Sequence, residues 1–225
     1  YMPRMINVKY AAELKKILTC KVTTVAGITN LGNAEKIIAN GYADFCAMAR
    51  PLMADPDMPR KYAMNKPEEV VPCSLCNYCG KRISSIHTVT CGVNPKLGRE
   101  NELEDGMVRI ARVKKTAAVV GAGPAGIQAA LTLLERGHKV VLFEKEPVVG
   151  GNLIAAASME LKQNMKDYLS YLQRTVMKSG ADIRLGSEAT AETIRELAPD
   201  ALVIAAGAVP RFPDVPGIDL PHVHW

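Results

Sequence analysis

The feature that most constrains the fold is a glycine-rich turn between a short apolar segment and a helical pattern. The apolar segment Ala117 to Val120 predicts a strand, and the pattern from about Pro124 to Arg136 predicts a helix. In such a turn the glycines permit a tight bend, close approach of a diphosphate, and close packing of helix on strand. The residues expected at the diphosphate are Gly121, Ala122, Gly123, Pro124, Ala125 and Gly126. Strand, turn and helix in this order predict an α/β fold with dinucleotide binding.

A single acidic residue supports this interpretation. Glu144 directly follows the predicted strand Lys139 to Phe143, where dinucleotide-binding folds place a carboxylate that contacts a ribose hydroxyl. A carboxylate at this point disfavours a 2′-phosphate, and therefore NADP, at this site. Gly150 and Gly151 form a second glycine-rich turn that could approach the same diphosphate, although an ordinary loop would have the same sequence. The motif does not choose between FAD and NAD(P), and a purely structural glycine turn is the alternative.

Four cysteines form the second informative feature, with the spacing Cys-x2-Cys-x2-Cys-x11-Cys. Thiolates are soft ligands that favour zinc or iron–sulfur clusters. Zinc sites usually pair their cysteines as two Cys-x2-Cys groups, whereas three bunched cysteines and a remote fourth are typical of cluster ferredoxins. The predicted [4Fe–4S] ligands are Cys73, Cys76, Cys79 and Cys91. Structural zinc and four unligated thiols are the alternatives, and clustered thiols indicate a reducing compartment.

The remaining cysteines, Cys20 and Cys46, lie at or within apolar segments, so we expect them to be buried as small hydrophobic residues. The net charge of +5 is spread along the chain and aromatic residues make up only 5%, which argues against a nucleic-acid interface. The uncharged stretch Thr116 to Leu134 approaches the length of a membrane span, but its central glycine turn disfavours a lipid-facing helix. We therefore predict a soluble, cytoplasmic protein with no nucleic-acid or membrane partner.

The chain before the cysteines also has an alternating order of helices and strands. Its predicted elements are a helix over Tyr10 to Leu18, a buried strand over Val22 to Ala26, a helix over Asn33 to Asn40 with Asn33 as candidate N-cap, a second buried strand over Ala43 to Ala49, and a short helix near Arg60 to Met64. After the glycine turn, the predicted elements are a long amphipathic helix over Ser158 to Ser179, strands over Asp182 to Leu185 and Ala201 to Ala205, and a helix around Ala191 to Leu197. This order predicts parallel strands in both parts.

Two further segments show little periodicity. Residues 67–98 carry the four clustered cysteines, and a segment held by ligands would have such a pattern. Arg99 to Asp105 is charged and is interpreted as a surface linker. Near the end of the chain, His222 and His224 are expected to be exposed linker residues.

Several stretches, taken in order, resemble the old yellow enzyme-related NADH:flavin oxidoreductases that carry an iron–sulfur cluster. This is the group of 2,4-dienoyl-CoA reductase, trimethylamine dehydrogenase and enoate reductase. The matching stretches are Gly41 to Pro51 with Ala54-Asp55-Pro56, Cys73 to Cys91 with Asn94-Pro95, Val119 to Gly126, Phe143 to Lys145 with Gly150-Gly151, and Ala205 to Gly207 with Val209-Pro210. Their common order is more specific than any single motif.

The resemblance implies an α/β architecture of three parts. Residues 1–66 would be the C-terminal strand–helix units of an FMN-binding TIM barrel, and residues 67–98 the cluster segment. A linker over 99–114 would lead to an incomplete, Rossmann-like FAD/NAD(P)-binding domain over 115–225. A complete barrel needs roughly 250 residues. Since the chain also starts at Tyr1, we expect it to be a piece of something longer, joined to the rest of the same polypeptide.

The resemblance also assigns further site residues. In addition to the glycine turn and Glu144, the FAD or ADP site would include Lys145, Gly151, Asn152 and Ala206. Phosphate in such barrels commonly binds after the last strands, and Gly27, Ala49 and Arg50 match the FMN phosphate site. An arginine suits a phosphate by its charge and its donor geometry. No histidine matches a catalytic motif, so no catalytic acid or base is assigned.

The function implied by the resemblance is electron transfer from NAD(P)H through FAD and the [4Fe–4S] cluster to FMN. The substrate would be a small molecule with an activated C=C bond, an unsaturated acid or acyl-CoA. An amine dehydrogenase with ADP in the nucleotide site is the nearest alternative. The others are a non-catalytic module that binds zinc and a nucleotide, and an electron-transfer subunit like that of glutamate synthase, which the barrel-like run before Cys73 disfavours.

Overall fold

A computed structural model describes residues 4–103, 108–209 and 211–223. The chain has 225 residues and forms two parallel sheets. The first sheet has two strands, and the second has four strands in the order β5-β4-β3-β6. The strands are β1 (Thr23–Thr24), β2 (Phe45–Cys46), β3 (Thr116–Val120), β4 (Lys139–Phe143), β5 (Asp182–Arg184) and β6 (Ala201–Ile204).

The helices alternate with the strands, as the sequence predicts. The α-helices are α1 (Val8–Ile17), α2 (Leu31–Ala39), α3 (Arg50–Ala54), α4 (Met58–Ala63), α5 (Tyr78–Ser84), α6 (Pro124–Glu135), α7 (Leu153–Ala157), α8 (Gln163–Met177) and α9 (Ala191–Leu197). Among the described residues, short 3-10 helices span Pro67–Glu69 and Glu160–Lys162. All pairings within the two sheets are parallel, which confirms the predicted α/β class.

The second sheet is built on two strongly apolar central strands. β3 and β4 pair along their whole length, from Thr116 with Lys139 to Val120 with Phe143. One face of this pair packs on α6 and α8 through a buried cluster that includes Ile127, Leu142 and Leu172. Burial of such side chains is the main stabilising contribution in a parallel sheet covered by helices. This core positions the glycine turn that follows β3.

One predicted helix is interrupted. The amphipathic pattern from Ser158 to Ser179 does not form a single helix, because α7 ends before Ser158 and a 3-10 turn precedes α8. α8 starts at Gln163, and its buried residues include Leu172 and Val176. The amphipathic pattern therefore predicted the helix correctly but placed its start too early.

The first sheet is much smaller than predicted. Its two strands have only two residues each, and Val25 and Phe45 are 52% and 57% exposed. The expectation of two fully buried strands is therefore wrong, since β1 pairs only with β2 and one face stays uncovered within the described residues. A small cluster on the other face joins Val22, Ile37 and Ala43.

Two local predictions in this part are corrected. Asn33 is not the N-cap of α2; Asn30 is, and its side chain accepts a hydrogen bond from the Asn33 backbone N–H. Asparagine is favoured at this position because its side-chain oxygen satisfies a free N–H of the first turn. Cys20 is exposed rather than buried, because it lies in the surface connection between α1 and β1. Cys46 lies on β2 and is half-buried.

The cysteine segment contains more regular structure than its sequence indicates. α5 begins at Tyr78, after Asn77 adopts the left-handed conformation, and includes Cys79. α3, which was not predicted, begins at Arg50 and ends beside Asp55. His222 is exposed as expected, whereas His224 and the central part of the predicted linker lie outside the described residues. Within the described ranges, no helix is long and apolar enough to cross a membrane.

Candidate functional site

The glycine turn is held by the sheet on both sides. The Gly121 N–H donates to the Phe143 carbonyl of β4 at 2.8 Å, and Ala205 N–H after β6 donates to the Val120 carbonyl at 2.8 Å. Gly121 has φ +96, and a Cβ there would lie 2.4 Å from the Ala205 carbonyl oxygen. At Gly126 a Cβ would lie only 1.8 Å from the Gly121 carbonyl oxygen. The first and third glycines are therefore required by packing inside the protein.

The second glycine is different, because nothing in the protein fills the space beside it. A Cβ on Gly123 would meet only the Gly151 Cα, at 3.9 Å, which is ordinary contact. Gly123 precedes the first turn of α6, where backbone N–H groups lack partners within the helix. The chain thus leaves an open space between Gly123, Gly151 and the N-terminus of α6, which we call the cradle. A diphosphate requires such a space beside a helix N-terminus.

The second glycine-rich turn closes against the first. Gly150 N–H donates to the Ala122 carbonyl at 2.8 Å, and a Cβ on Gly151 would lie 2.9 Å from the Gly123 Cα. At Gly150, which has φ +133, a Cβ would lie 2.7 Å from a Leu169 side-chain carbon. The structure therefore brings the two turns together, as their proposed approach to one diphosphate requires.

Glu144 lies where the sequence predicts, at the end of β4. Its side chain accepts the Ala122 N–H at 2.7 Å through one carboxylate oxygen and the Glu146 N–H at 3.0 Å through the other. The residue is only 7% exposed, so these charge-assisted hydrogen bonds fix its orientation beside the glycine turn. A carboxylate has about four acceptor positions, which leaves capacity for a ribose hydroxyl.

The other residues predicted at this site lie on its rim. Ala206 contacts the turn, because its Cα would lie 3.2 Å from a Cβ on Gly121. Asn152 is the exposed N-cap of α7 and makes no side-chain capping bond. Lys145 is exposed beside Glu144. The structure brings Ala206 and Gly151 to the cradle, and it gives Lys145 and Asn152 no contact that tests their predicted role.

The four clustered cysteines occupy one segment between α4 and β3. All six cysteines of the chain are free thiols; among the four, Cys76 is exposed and the others are half-buried. Cys76 Sγ would lie 3.3 Å from a Cβ on Gly92, which places it against the residue after Cys91. Cys73 interacts electrostatically with both Cys76 and Cys91. The remote fourth cysteine is therefore folded back toward the bunched group, as the spacing predicts.

The environment of Cys73 differs from that of the exposed cysteines. Burial raises the pKa of its thiol, the Leu75 backbone N–H opposes that shift, and the Arg50 guanidinium lowers the pKa slightly. A thiol must lose its proton to bind a metal, so ligation at Cys73 would release a proton. Among the described residues, no three His, Cys, Asp or Glu side chains converge closely enough to hold one metal ion. Four free thiols in one segment are soft donors, and it is this chemistry that suits an iron–sulfur cluster.

Tyr168 is a half-buried residue of α8 near the cysteine segment, and no sequence motif singles it out. Burial raises the pKa of Tyr168 to about 12, with smaller contributions from Tyr171 and Cys91. The two tyrosine rings are stacked, with centroids 6.4 Å apart. Tyr168 is far from Cys91 along the chain, so no local motif could have revealed this proximity. The pair places α8 of the nucleotide-binding part against the cysteine segment.

The residues predicted at an FMN phosphate share one edge of the first sheet. β1 and β2 are parallel with Thr24 opposite Cys46, and Gly27 and Ala49 each follow those residues by three positions. Gly27 has φ +70, and a Cβ there would lie 2.7 Å from the Met5 backbone nitrogen. This packing alone accounts for a glycine at position 27. Ala49 and Arg50 begin α3, and Arg50 is half-buried near Cys73.

A polar cleft lies between the two parts of the chain beside Cys73. Its volume is about 450 Å³. Arg4 crosses one end of the cleft to contact Asn164 and to pair with Asp167 at 2.9 Å, both on α8. On another side of the two parts, Lys96 pairs with Glu135 of α6 at 2.7 Å. These ion pairs are partly exposed, so each contributes little to stability, about 0–1 kcal/mol.

Comparison with known proteins agrees with this geometry. The family model described as pyridine nucleotide-disulphide oxidoreductase matches residues 115–224. The chain is 40% identical to an NADH oxidase of Thermoanaerobacter brockii over 215 aligned residues, and these residues make up 95% of the chain. It is 32% identical over 220 residues to a cinnamate reductase of Clostridium sporogenes, which spans 97% of the chain.

A solved structure shows the same fold. A 2-naphthoyl-CoA reductase, determined as a complex with 2-naphthoyl-CoA, superposes with a TM-score of 0.89 over 98% of the chain at 32% identity. The chain spans only about a third of the length of these proteins, 33% of each of the two relatives and 34% of the solved chain.

Proposed function

The chain belongs to the old yellow enzyme-related family of NADH:flavin oxidoreductases, and from this premise we propose that it forms the electron-transfer part of such an enzyme. In this proposal the glycine turn and Glu144 hold FAD, and Cys73, Cys76, Cys79 and Cys91 hold a [4Fe–4S] cluster. The FMN phosphate lies at the edge formed by Gly27, Ala49 and Arg50. NAD(P)H is the electron donor.

One observation supports the nucleotide site above all others. A Cβ at position 123 would fit beside the described residues, whereas a Cβ at position 121 or 126 would clash with backbone atoms. A glycine that the fold itself does not need is explained by a ligand whose atoms approach the backbone there. The buried carboxylate of Glu144 lies beside it in the position that recognises a ribose.

The residues of the chain would act by binding and orienting the cofactors rather than by acid or base chemistry. Bound flavins and an iron–sulfur cluster supply hydride and one-electron transfer. The N-terminus of α6 would neutralise diphosphate charge, and Glu144 would fix the ribose. The half-buried cysteine segment would limit the access of water to the cluster. The thiols require a reducing environment, which is consistent with a cytoplasmic location.

For the whole polypeptide we propose reduction of an activated C=C bond in an unsaturated acid or an acyl-CoA. The support is that the similar proteins are named as a cinnamate reductase and a 2-naphthoyl-CoA reductase. Neither name identifies the substrate of this chain. An aromatic enoate such as cinnamate is therefore the first compound to test, followed by an enoyl-CoA.

The test is cofactor analysis on the complete polypeptide, purified without oxygen. We expect about four irons and about four sulfides per polypeptide, together with one FAD and one FMN in the acid extract. NADH should reduce the bound flavins, and cinnamate or an enoyl-CoA should reoxidise them. Cys73→Ser should remove the iron and sulfide, whereas Cys20→Ser, a matched change at an exposed cysteine outside the segment, should not.

Other outcomes would overturn specific parts of the proposal. Stoichiometric zinc without iron would support a zinc- and nucleotide-binding module instead. ADP in place of FAD, with reduction of the enzyme by an amine but not by NADH, would support an amine dehydrogenase. Full iron content in Cys73→Ser would contradict the assignment of the cluster ligands.

A further inference from the structure

We propose that Asp55 and Asn94 are positioning residues that fix both ends of the cysteine segment to one short helix, α3. This inference rests on the proposed iron–sulfur cluster and deepens it, because it concerns residues that bind no iron. Their side chains would set the geometry of the four thiols, and therefore the stability and the redox potential of the cluster.

Asp55 fixes the start of the segment. It directly follows α3 and is only 3% exposed. One carboxylate oxygen accepts the Val71 N–H at 2.8 Å and the Lys61 ammonium at 2.6 Å, and the other accepts the Asp57 N–H at 3.1 Å. Val71 lies two residues before Cys73. A buried carboxylate with charge-assisted hydrogen bonds holds its partners in a narrow range of positions.

Lys61 strengthens the same attachment. Its ammonium group, besides pairing with Asp55, donates to the Glu69 carbonyl oxygen at 2.9 Å. The backbone that leads into the cysteines is thus held at both Glu69 and Val71 by one ion pair. The side chain of Lys61 is 23% exposed, which shields the pair from most solvent screening.

Asn94 fixes the other end. It lies three residues after Cys91, and its amide nitrogen donates to the Met53 carbonyl oxygen of α3 at 2.9 Å. Its amide oxygen accepts the Lys96 N–H at 3.0 Å, which fixes the orientation of the side chain. The intervening Val93 is 7% exposed and packs the turn into the protein. The exit of the segment is therefore attached within two residues of Asp55 along the chain.

The two attachments converge on one short element, since Met53 lies in α3 and Asp55 directly follows it. The cysteine segment therefore meets this element at two points, the Met53 carbonyl and the Asp55 carboxylate. Outer residues that orient metal ligands typically change metal affinity by about 10- to 100-fold when they are removed. Asp55 holds the backbone two residues before Cys73, and Asn94 holds it three residues after Cys91, so we expect an effect at the lower end of this range.

The experiment compares cluster properties in the complete, cofactor-loaded polypeptide carrying Asp55→Asn or Asn94→Asp. Asp55→Asn removes the charge and one acceptor, whereas Asn94→Asp keeps the bond from Lys96 but loses the donor to Met53. The readouts are the rate at which an iron chelator bleaches the cluster absorbance, the spin-resonance spectrum of the reduced cluster, and its midpoint potential. We expect each variant to lose the cluster about tenfold faster and to shift the spectrum and potential, with FAD content unchanged.

Two matched variants control for the loss of a carboxylate or an amide nearby. Asp57→Asn removes an exposed carboxylate from the same turn, one that pairs only with Arg60 at 3.3 Å, and Asn101→Ala removes an exposed amide after the segment. Both should match the unmodified protein. Spectrum, potential and bleaching rate equal to these controls in a folded Asn94→Asp variant would overturn the inference, even if Asp55→Asn fails to fold. An unmodified protein without iron would instead refute the proposed cluster itself.

Discussion

The chain joins two regions that we propose hold cofactors, and the two position their proposed sites in different ways. In the nucleotide-binding region, 115–209, the glycine turn is fixed by backbone hydrogen bonds of a four-stranded sheet over a continuous apolar core. In the first region, 4–103, the sheet has two short strands and the attachments are single side chains such as Asp44, Asp55 and Asn94.

The difference concerns what a ligand must contribute. A glycine turn packed against backbone atoms has its geometry before any nucleotide binds. A cysteine segment held at its two ends, with Cys76 exposed between them, has fixed ends, whereas the thiols between those ends would reach their final positions only with the proposed cluster bound. One extra methyl group in the glycine turn can destroy the packing of the nucleotide-binding region. The attachment of the cysteine segment can instead be weakened by removing single hydrogen bonds at its ends.

The largest expected effect is the loss of the nucleotide-binding region on Gly126→Ala. The new Cβ would lie 1.8 Å from the Gly121 carbonyl oxygen, and the backbone on both sides cannot yield without breaking the sheet. We expect a destabilisation of about 3 kcal/mol or more and loss of bound FAD, measured by denaturant unfolding and flavin content. Gly123→Ala is the matched change, since its Cβ would meet only a contact at 3.9 Å. It should preserve the fold while weakening FAD binding, and equal stability of both variants would refute the contrast.

The next largest effect should be confined to the cysteine segment and leave the nucleotide-binding region unchanged. Cys91→Ser should abolish the cluster, while the nucleotide-binding region keeps its FAD and its resistance to protease. Because the segment would lose the ligand that organises it, the first cleavage should fall between Cys76 and Cys91, as mass spectrometry of the fragments would show. Cys46→Ser, at a half-buried thiol on β2 away from the segment, is the control. Cleavage that starts in the nucleotide-binding region would contradict the comparison.

A smaller effect is expected from Glu144→Gln. The carboxylate accepts two backbone N–H groups, and a glutamine amide can accept only one of them while its NH2 group faces the other donor. The cost of a buried unsatisfied donor is about 1–3 kcal/mol. We expect lower thermal stability of the nucleotide-binding region and about tenfold weaker FAD binding, measured by flavin release on dilution. Glu146→Gln, which is exposed in the same turn, should change neither.

The smallest effect concerns a side chain that attaches β2 to β1. The Val22 N–H, followed by Lys15 and Lys21, lowers the pKa of Asp44 from 3.8 to about 2. A carboxylate with a lowered pKa stabilises the fold fully above its ordinary pKa, and that contribution is lost as the pH falls through the lowered value. Asp44→Asn should therefore lower the denaturant midpoint slightly at neutral pH, and the difference should vanish between pH 3.8 and about 2. Asp214→Asn, an exposed carboxylate, should show no such pH-dependent difference.

Local sequence was most informative where short-range rules decide structure. The strand, turn and helix around Gly121 to Gly126 follow from apolar runs and glycine positions that lie next to each other, and Glu144 follows from its place at a strand end. The predictions failed where contacts with distant parts of the chain decide whether a residue is buried. Cys20 lies at the edge of a predicted strand and Phe45 within another, but the folded chain leaves both exposed. α3 and α5 are too short to produce a periodic pattern.

The sequence by itself thus determined the α/β order, the glycine turn with its acidic partner, and the cysteine spacing that favours an iron–sulfur cluster. Only the tertiary structure decided that Gly151 closes against Gly123, that Tyr168 lies beside Cys91, and that Asp55 and Asn94 attach both ends of the cysteine segment to α3. The physical reason is the range of the interactions. Backbone preferences and side-chain periodicity act over a few residues, whereas these contacts join distant positions and exist only once the cores have packed.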